Sequence, residues 1–356
     1  LEVGGAGSHA ALFAHEIGLP CVSGIAQVVE TIPPGELVLV DADVAEVILH
    51  PDRQQRTAFR TKCRQQEQAS QKARRQAQAS AQTRDGRTIA VLANVGSLED
   101  TKEAMRNGAD GIGLYRIERA YLGRREPPDS AALLEEIHKT LEPARGLPVY
   151  VRLLDIGADK PLPFMESFRE INPSLGRRGI RFLLDFPELL QTQLDALLQL
   201  SADFDLHIIV PMVTLPGDMQ RVEQALQASA ARSQVSTLPR LGAMIETPAA
   251  ALASADIARY AQFFSFGTND LTQYTFAADR ENAAVDNYYD DSQDVIFRLL
   301  QIVHEDVPRM PLSICGELAA REAQTAKLLQ CGINTLSVAP PSIPAIKQAI
   351  RQATLA

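Results

Sequence analysis

Eight short apolar runs, separated by helix-length intervals, occupy the chain from Arg87 onward and constrain its fold more than any other feature. They are Thr88–Leu92, Gly111–Leu114, Val149–Leu153, His207–Val210, Leu241–Ile245, Phe263–Phe266, Leu312–Cys315 and Thr335–Val338. Parallel strands buried on both faces read as near-continuous apolar stretches of this kind. Helix signals fall between the runs, such as Ser97-Leu98-Glu99-Asp100, which has the form of a capping box. About eight strand–helix units in roughly 270 residues is the arithmetic of a (β/α)8 TIM barrel. A doubly wound open sheet is the alternative, but no Gly-x-Gly-x-x-Gly turn follows the first run.

A parallel barrel keeps its chemistry at the carboxyl ends of its strands, so the residues that stop each run are the candidates. Glu246 ends the fifth run, just before Pro248 opens a helix, and Asn269 and Asp270 end the sixth. Two hard carboxylates suit Mg²⁺, which draws its other ligands from water and a phosphorylated substrate. Read singly, Glu246 is equally a helix cap and Asp270 a turn residue; together they point to a site. Arg116 follows the second run and Arg152 ends the third, with Asp155, Asp159 and Lys160 in the loop beyond. Arg177, Arg178 and Arg181 come later, and Arg280 lies past the sixth run. Guanidinium forks match phosphate and carboxylate oxygens bidentately, which implies a small substrate carrying both groups. Each arginine alone is as well explained by a surface ion pair. Cys315, from its own surroundings, reads as a buried structural thiol.

Before the barrel pattern the chain changes character twice. Residues 1–51 open on Gly4-Gly5-Ala6-Gly7-Ser8-His9, a flexible loop that presents an imidazole at a helix start. His9 is either an ordinary surface histidine or a nucleophile able to accept a phosphoryl group near neutral pH. Leu37–Val40 and Val47–Leu49 read as strands. Residues 52–86 are rich in Gln, Arg and Ala, and apolar residues are too sparse there for a broad buried face. A solvated linker helix fits better than a nucleic-acid-binding arm, because the net charge is −9 and the segment has little for bases to stack on.

With 46% apolar and 22% charged residues the chain has the balance of a globular protein, and no apolar run is long enough to span a bilayer. Its four cysteines show neither metal-site spacing nor disulfide density, which points to the reducing cytoplasm. No nucleic-acid or membrane partner is expected. Leu1 is not an initiator methionine, so the chain is expected to begin inside a domain.

These motifs together resemble the phosphoenolpyruvate–protein phosphotransferase family, Enzyme I of the bacterial sugar phosphotransferase system. The matching stretches are Gly4–Ala11, Gly111–Glu118, Val151–Lys160, Asn172–Arg178, Met244–Pro248, Phe266–Asp270, Asp279-Arg280 and Cys315–Glu317. The resemblance implies a partial swivelling phosphohistidine domain in residues 1–51, a linker helix in 52–86 and a phosphoenolpyruvate-binding barrel in 87–356. It implies His9 as the phosphorylated residue, Glu246 and Asp270 as Mg²⁺ ligands and Cys315 as proton donor. Arg116, Arg152, Lys160, Arg178, Asn269 and Arg280 correspond to substrate contacts. A phosphocarrier protein and a second copy of the chain, met through the barrel, are the implied partners. The docking domain for the carrier has no counterpart in this sequence, and the parent is compatible with a larger multiphosphoryl fusion.

The sequence departs from the family pattern at Gly7, Ile117 and Leu153, where threonine is usual. Two other functions share these parts. One is a pyruvate phosphate dikinase or phosphoenolpyruvate synthase relative; the other is a non-catalytic barrel that only binds phosphoenolpyruvate and dimerises.

Overall fold

The computed structural model describes residues 14, 19–156, 170–282 and 284–355. His9 and Lys160 lie outside the described residues, as do the other members of the His9 loop and Asp159. The chain divides into two compact units. One is Leu1–Gln76 with Thr272–Asp290; the other is Ala77–Leu271 with Asp291–Ala356.

In the first unit, β1 (Val38–Asp41) and β2 (Glu46–Leu49) form an antiparallel hairpin in the register Val38 to Leu49. A 24-residue helix, Arg53–Gln76, buries only Ala73 along its length, as expected from so few apolar residues. It meets the hairpin through charge: Lys62 Nζ lies 2.7 Å from Asp41 Oδ1 and 3.0 Å from Asp43 Oδ2.

The second unit is built on a closed sheet. After β3 (Ala81–Gln82) come eight parallel strands: β4 (Thr88–Val95), β5 (Ile112–Arg116), β6 (Pro148–Arg152), β7 (Asp205–Val210), β8 (Arg240–Ile245), β9 (Phe264–Phe266), β10 (Leu312–Ile314) and β11 (Thr335–Val338). Each pairs with the next in sequence, and β11 returns to β4, closing a (β/α)8 barrel with helices between its strands. β3 is antiparallel to β4 at Ala81–Ile89, so this short strand within the 52–86 segment joins the barrel sheet.

Local chemistry starts the helices where the strands stop. Ser97 Oγ accepts from Asp100 N at 3.2 Å to cap Leu98–Arg106, while Asp100 Oδ2 accepts from Gly96 N at 2.9 Å. Thr247 Oγ1 accepts from Ala250 N at 3.1 Å, with Pro248 at the first helical position. The cap is therefore Thr247, which leaves the Glu246 carboxylate free of that duty.

The barrel interior is filled, as in other barrels of this size. Leu114, Ile209, Met244, Phe263 and Cys315 pack together, with Tyr150 against them. Gly242 is needed here because a Cβ would enter the Phe263 ring. The fully buried Lys347 gives its charge to Asp110 Oδ1 at 2.7 Å and also donates to Ala77 O at 3.0 Å. No helix among the described residues is long and apolar enough to cross a membrane.

Candidate active site

The carboxyl ends of the barrel strands gather the charged groups. Arg116 and Arg152 are the last residues of neighbouring strands and stand side by side in the β5–β6 register. Arg116 is exposed and makes no ion pair among the described residues. Arg152 is nearly buried, with 11% of its side chain exposed; its Nη2 lies 2.8 Å from Glu118 Oε1 and its Nη1 3.1 Å from Asp155 Oδ2. Arg178 continues the series. Its Nη2 meets Asp155 Oδ2 at 3.1 Å and its Nη1 meets Asp270 Oδ1 at 2.6 Å.

An alternating chain of charge therefore crosses the rim: Glu118, Arg152, Asp155, Arg178, Asp270. Burial opposes the charge on Arg178, but Asp155 and Asp270 more than offset it and hold its pKa above the ordinary value. Arg152 follows the same balance, with Glu118, Asp155 and Glu246 as its carboxylates. Both guanidinium groups remain fully charged, as an anion site requires.

Glu246 sits one residue past β8 and is 1% exposed. It accepts a hydrogen bond from Met212 N, just beyond β7. Burial, with Asp270 and Asp155 close by, pushes its carboxyl pKa up to about 8, while Arg178 and Arg152 pull the other way. Gly267 makes room for it, since a Cβ there would stand 2.8 Å from Glu246 Oε2. Asp270 occupies the first turn of the helix Thr268–Phe276, where the exposed backbone N–H groups favour negative charge.

These donors fit a divalent cation. Glu246 and Asp270 are buried carboxylates whose mutual repulsion a cation would relieve. Among the described residues no group of three or more His, Cys, Asp or Glu could enclose a metal. A cation held here would take its remaining ligands from substrate and water, the habit of Mg²⁺.

Asn269 turns the other way along the rim, its Oδ1 accepting from Glu317 N at 2.8 Å. That bond ties the turn after β9 to the turn after β10, which begins with Cys315. Cys315 is buried, its Sγ 3.5 Å from the donating Ser265 Oγ. Asn94 Nδ2 donates to Cys315 O at 3.0 Å and fixes the backbone. Burial pushes the thiol pKa up, the Ser265 hydroxyl draws it partly down, and the Glu246 charge raises it again. The group is thus a neutral thiol near pH 7, suited to giving a proton.

Of the residues expected from the sequence, Arg116, Arg152, Arg178, Glu246, Asn269, Asp270 and Cys315 all stand in the barrel unit at the strands' carboxyl ends. Arg280 belongs to the other unit, where its N–H donates to Gln273 Oε1 at 3.2 Å. Arg177 turns outward to Asp185 at 3.3 Å, and Arg181 bonds Leu175 O and Thr214 Oγ1 at 3.0 Å each. Two participants were not among the expected contacts, Glu118 and Asp155. The three-residue spacing of Arg152 and Asp155 was visible, but nothing in it said that Asp155 would be shared with Arg178.

Known proteins are similar to this chain in sequence. Residues 70–355 match the family profile described as PEP-utilising enzyme, PEP-binding domain, and residues 1–44 match PEP-utilising enzyme, mobile domain. The chain is 36% identical over 360 residues to a phosphoenolpyruvate-protein phosphotransferase of Priestia megaterium, covering 99% of this chain and 62% of that protein. It is 36% identical over 350 residues to the protein of the same name from Geobacillus stearothermophilus, covering 96% and 60%. The Haloferax volcanii protein of that name is 35% identical over 359 residues, covering 98% and 62%. The chain spans about three-fifths of the length of these curated relatives.

Proposed function

The chain belongs to the PEP-utilising enzyme family, and from that premise we propose that it is the catalytic portion of a phosphoenolpyruvate–protein phosphotransferase. In this reading it moves the phosphoryl group of phosphoenolpyruvate (PEP) onto His9 and releases pyruvate. The supporting observation is the rim itself: charged, nearly buried arginines interlocked with metal-type carboxylates, beside a neutral thiol.

PEP carries a phosphate and a carboxylate, and both suit guanidinium forks. Arg116, Arg152, Arg178 and Asn269 are the proposed contacts from the barrel unit, and the family resemblance adds Arg280 and Lys160. Glu246 and Asp270 would hold Mg²⁺, which when bound offsets negative charge on the transferring group. His9 attacks phosphorus in line, the bond from phosphorus to the enol oxygen breaks, and its electron pair leaves as the enolate. The Cys315 thiol then gives its proton to the methylene carbon, completing pyruvate. Ser265, already donating to the sulfur, steadies the thiolate that remains.

The domain reading proposed with this is a partial phosphohistidine domain in 1–51, a linker in 52–86 and the barrel in 87–356. The mobile-domain match at 1–44 and the helix Arg53–Gln76 support it. The phosphohistidine would pass its group to a phosphocarrier protein in the sugar phosphotransferase system. A cytoplasmic location, which the four free cysteines support, and a homodimer joined through the barrel complete the proposal.

The test uses the full-length parent, Mg²⁺ and PEP labelled in its phosphoryl group. Acid-labile label should appear on His9 and be lost in His9→Ala, which should still bind PEP. Label on another residue, or none while PEP is bound, would contradict the assignment.

A further inference from the structure

Glu118 has no part in the chemistry just described, yet the rim is built around it. It lies in the single turn Ile117–Ala120 that follows β5, with 14% of its side chain exposed. One oxygen does two things: Oε1 accepts from Arg152 Nη2 at 2.8 Å and from Asp155 N at 2.9 Å. It thereby joins the side chain that ends β6 to the backbone of the loop beyond it.

The guanidinium is planar and rigid, so fixing its two terminal nitrogens fixes the direction of the N–H on its third nitrogen, Nε. Glu118 holds Nη2 and Asp155 holds Nη1. The remaining Arg152 Nε is buried and has no acceptor among the described residues. Buried donors are nearly always satisfied, so one aimed from an otherwise locked fork marks where an oxyanion belongs. Asp155, whose backbone the same Glu118 oxygen holds, is also the carboxylate that Arg178 shares. A change at Glu118 therefore reaches both arginines without touching substrate.

We propose that Glu118 is a positioning residue, which sets the Arg152 fork and the Asp155 turn in the arrangement that receives a substrate oxyanion. The identity of that substrate as PEP rests on the function proposed above; the orientation of Arg152 does not.

The experiment therefore has two readouts on this chain. Hydrogen exchange of the Arg152 Nε–H, followed by NMR in the ligand-free protein, reports the fork alone. Glu118→Gln, which keeps the shape but removes the charge, should speed that exchange while leaving the melting temperature close to the parent's. PEP affinity in Mg²⁺ should weaken about 10-fold to 100-fold, the usual scale for losing a group that orients a ligating side chain. Because part of the effect passes through Arg152, adding Glu118→Gln to Arg152→Lys should cost clearly less than the two single losses combined.

Unchanged exchange in Glu118→Gln would overturn the proposal, as would losses that simply add in the double variant. Faster exchange in a chain that does not bind PEP would uphold the role of Glu118 and sink the proposed substrate instead.

Discussion

Replacing Arg178 with methionine is the perturbation whose cost the structure fixes best. The side chain is 13% exposed and pairs with Asp155, 4% exposed, and Asp270, 8% exposed. Asp155 would retain Arg152 at 3.1 Å, so the loss falls mainly at Asp270, next to the buried Glu246. Removing one partner of a buried ion pair costs about 3–5 kcal/mol, because the other charge remains desolvated. For a folding unit of this size each kcal/mol lowers the melting temperature by about 2–4 °C, so a fall of roughly 6–20 °C is expected. Arg177 supplies a control one residue away. It pairs with Asp185 at 3.3 Å, but both side chains are about half exposed. Such pairs contribute about 0–1 kcal/mol, so Arg177→Met should hardly move the melt. Scanning calorimetry in the presence of a chelator compares the two, and Asp270→Asn added to Arg178→Met should recover part of the loss. If Arg178→Met cost no more than Arg177→Met, the rim would not be the interlocked charge network described here.

Glu246 makes metal-free stability depend on pH with a definite sign. Its folded carboxyl is raised from 4.5 to about 8, so its protonated form supports the fold fully below 4.5, and that support is lost as pH rises through about 8. Urea unfolding in chelator should show stability falling across that window, and Glu246→Gln should flatten the slope; parallel curves would contradict the burial argument. Cys315 and Cys63 should separate by reactivity: a disulfide reagent at pH 8 should modify the exposed Cys63 at once and reach Cys315 only on unfolding. In the full-length parent, Cys315→Ser should keep PEP binding and lose most pyruvate formation, measured by coupled assay.

The barrel was legible because its strands are buried on both faces, and such strands announce themselves as apolar runs. Thr335–Val338 has the same bounds in sequence and structure, and the other runs differ at their ends by a few residues. β4 runs on to Val95 through Asn94, whose amide serves the Cys315 backbone and so tolerates a polar residue inside the sheet. β3 was not legible. It is two residues long in a polar stretch, and its pairing is made by backbone atoms alone. The site was legible as a set of residue types at strand ends, but not as a network. Nothing in adjacent Arg177 and Arg178 says which turns to solvent and which inward, nor that the next residue, Gly179, takes φ +55° close against Met212 and Asp155. Glu118 was visible only as part of a motif, because its partners lie 34 and 37 residues away.

Joint binding of PEP and Mg²⁺ at this barrel rim, through Glu246 and Asp270, is the proposed basis of the activity. Isothermal titration of PEP into the chain, with Mg²⁺ and then with chelator, tests it most directly, with Asp270→Ala titrated alongside. Saturable binding that depends on Mg²⁺ is expected in the parent chain, and Asp270→Ala should lose that dependence together with most of the affinity. Equal Mg²⁺-dependent affinity in the two proteins, or no binding by the parent chain, would contradict it.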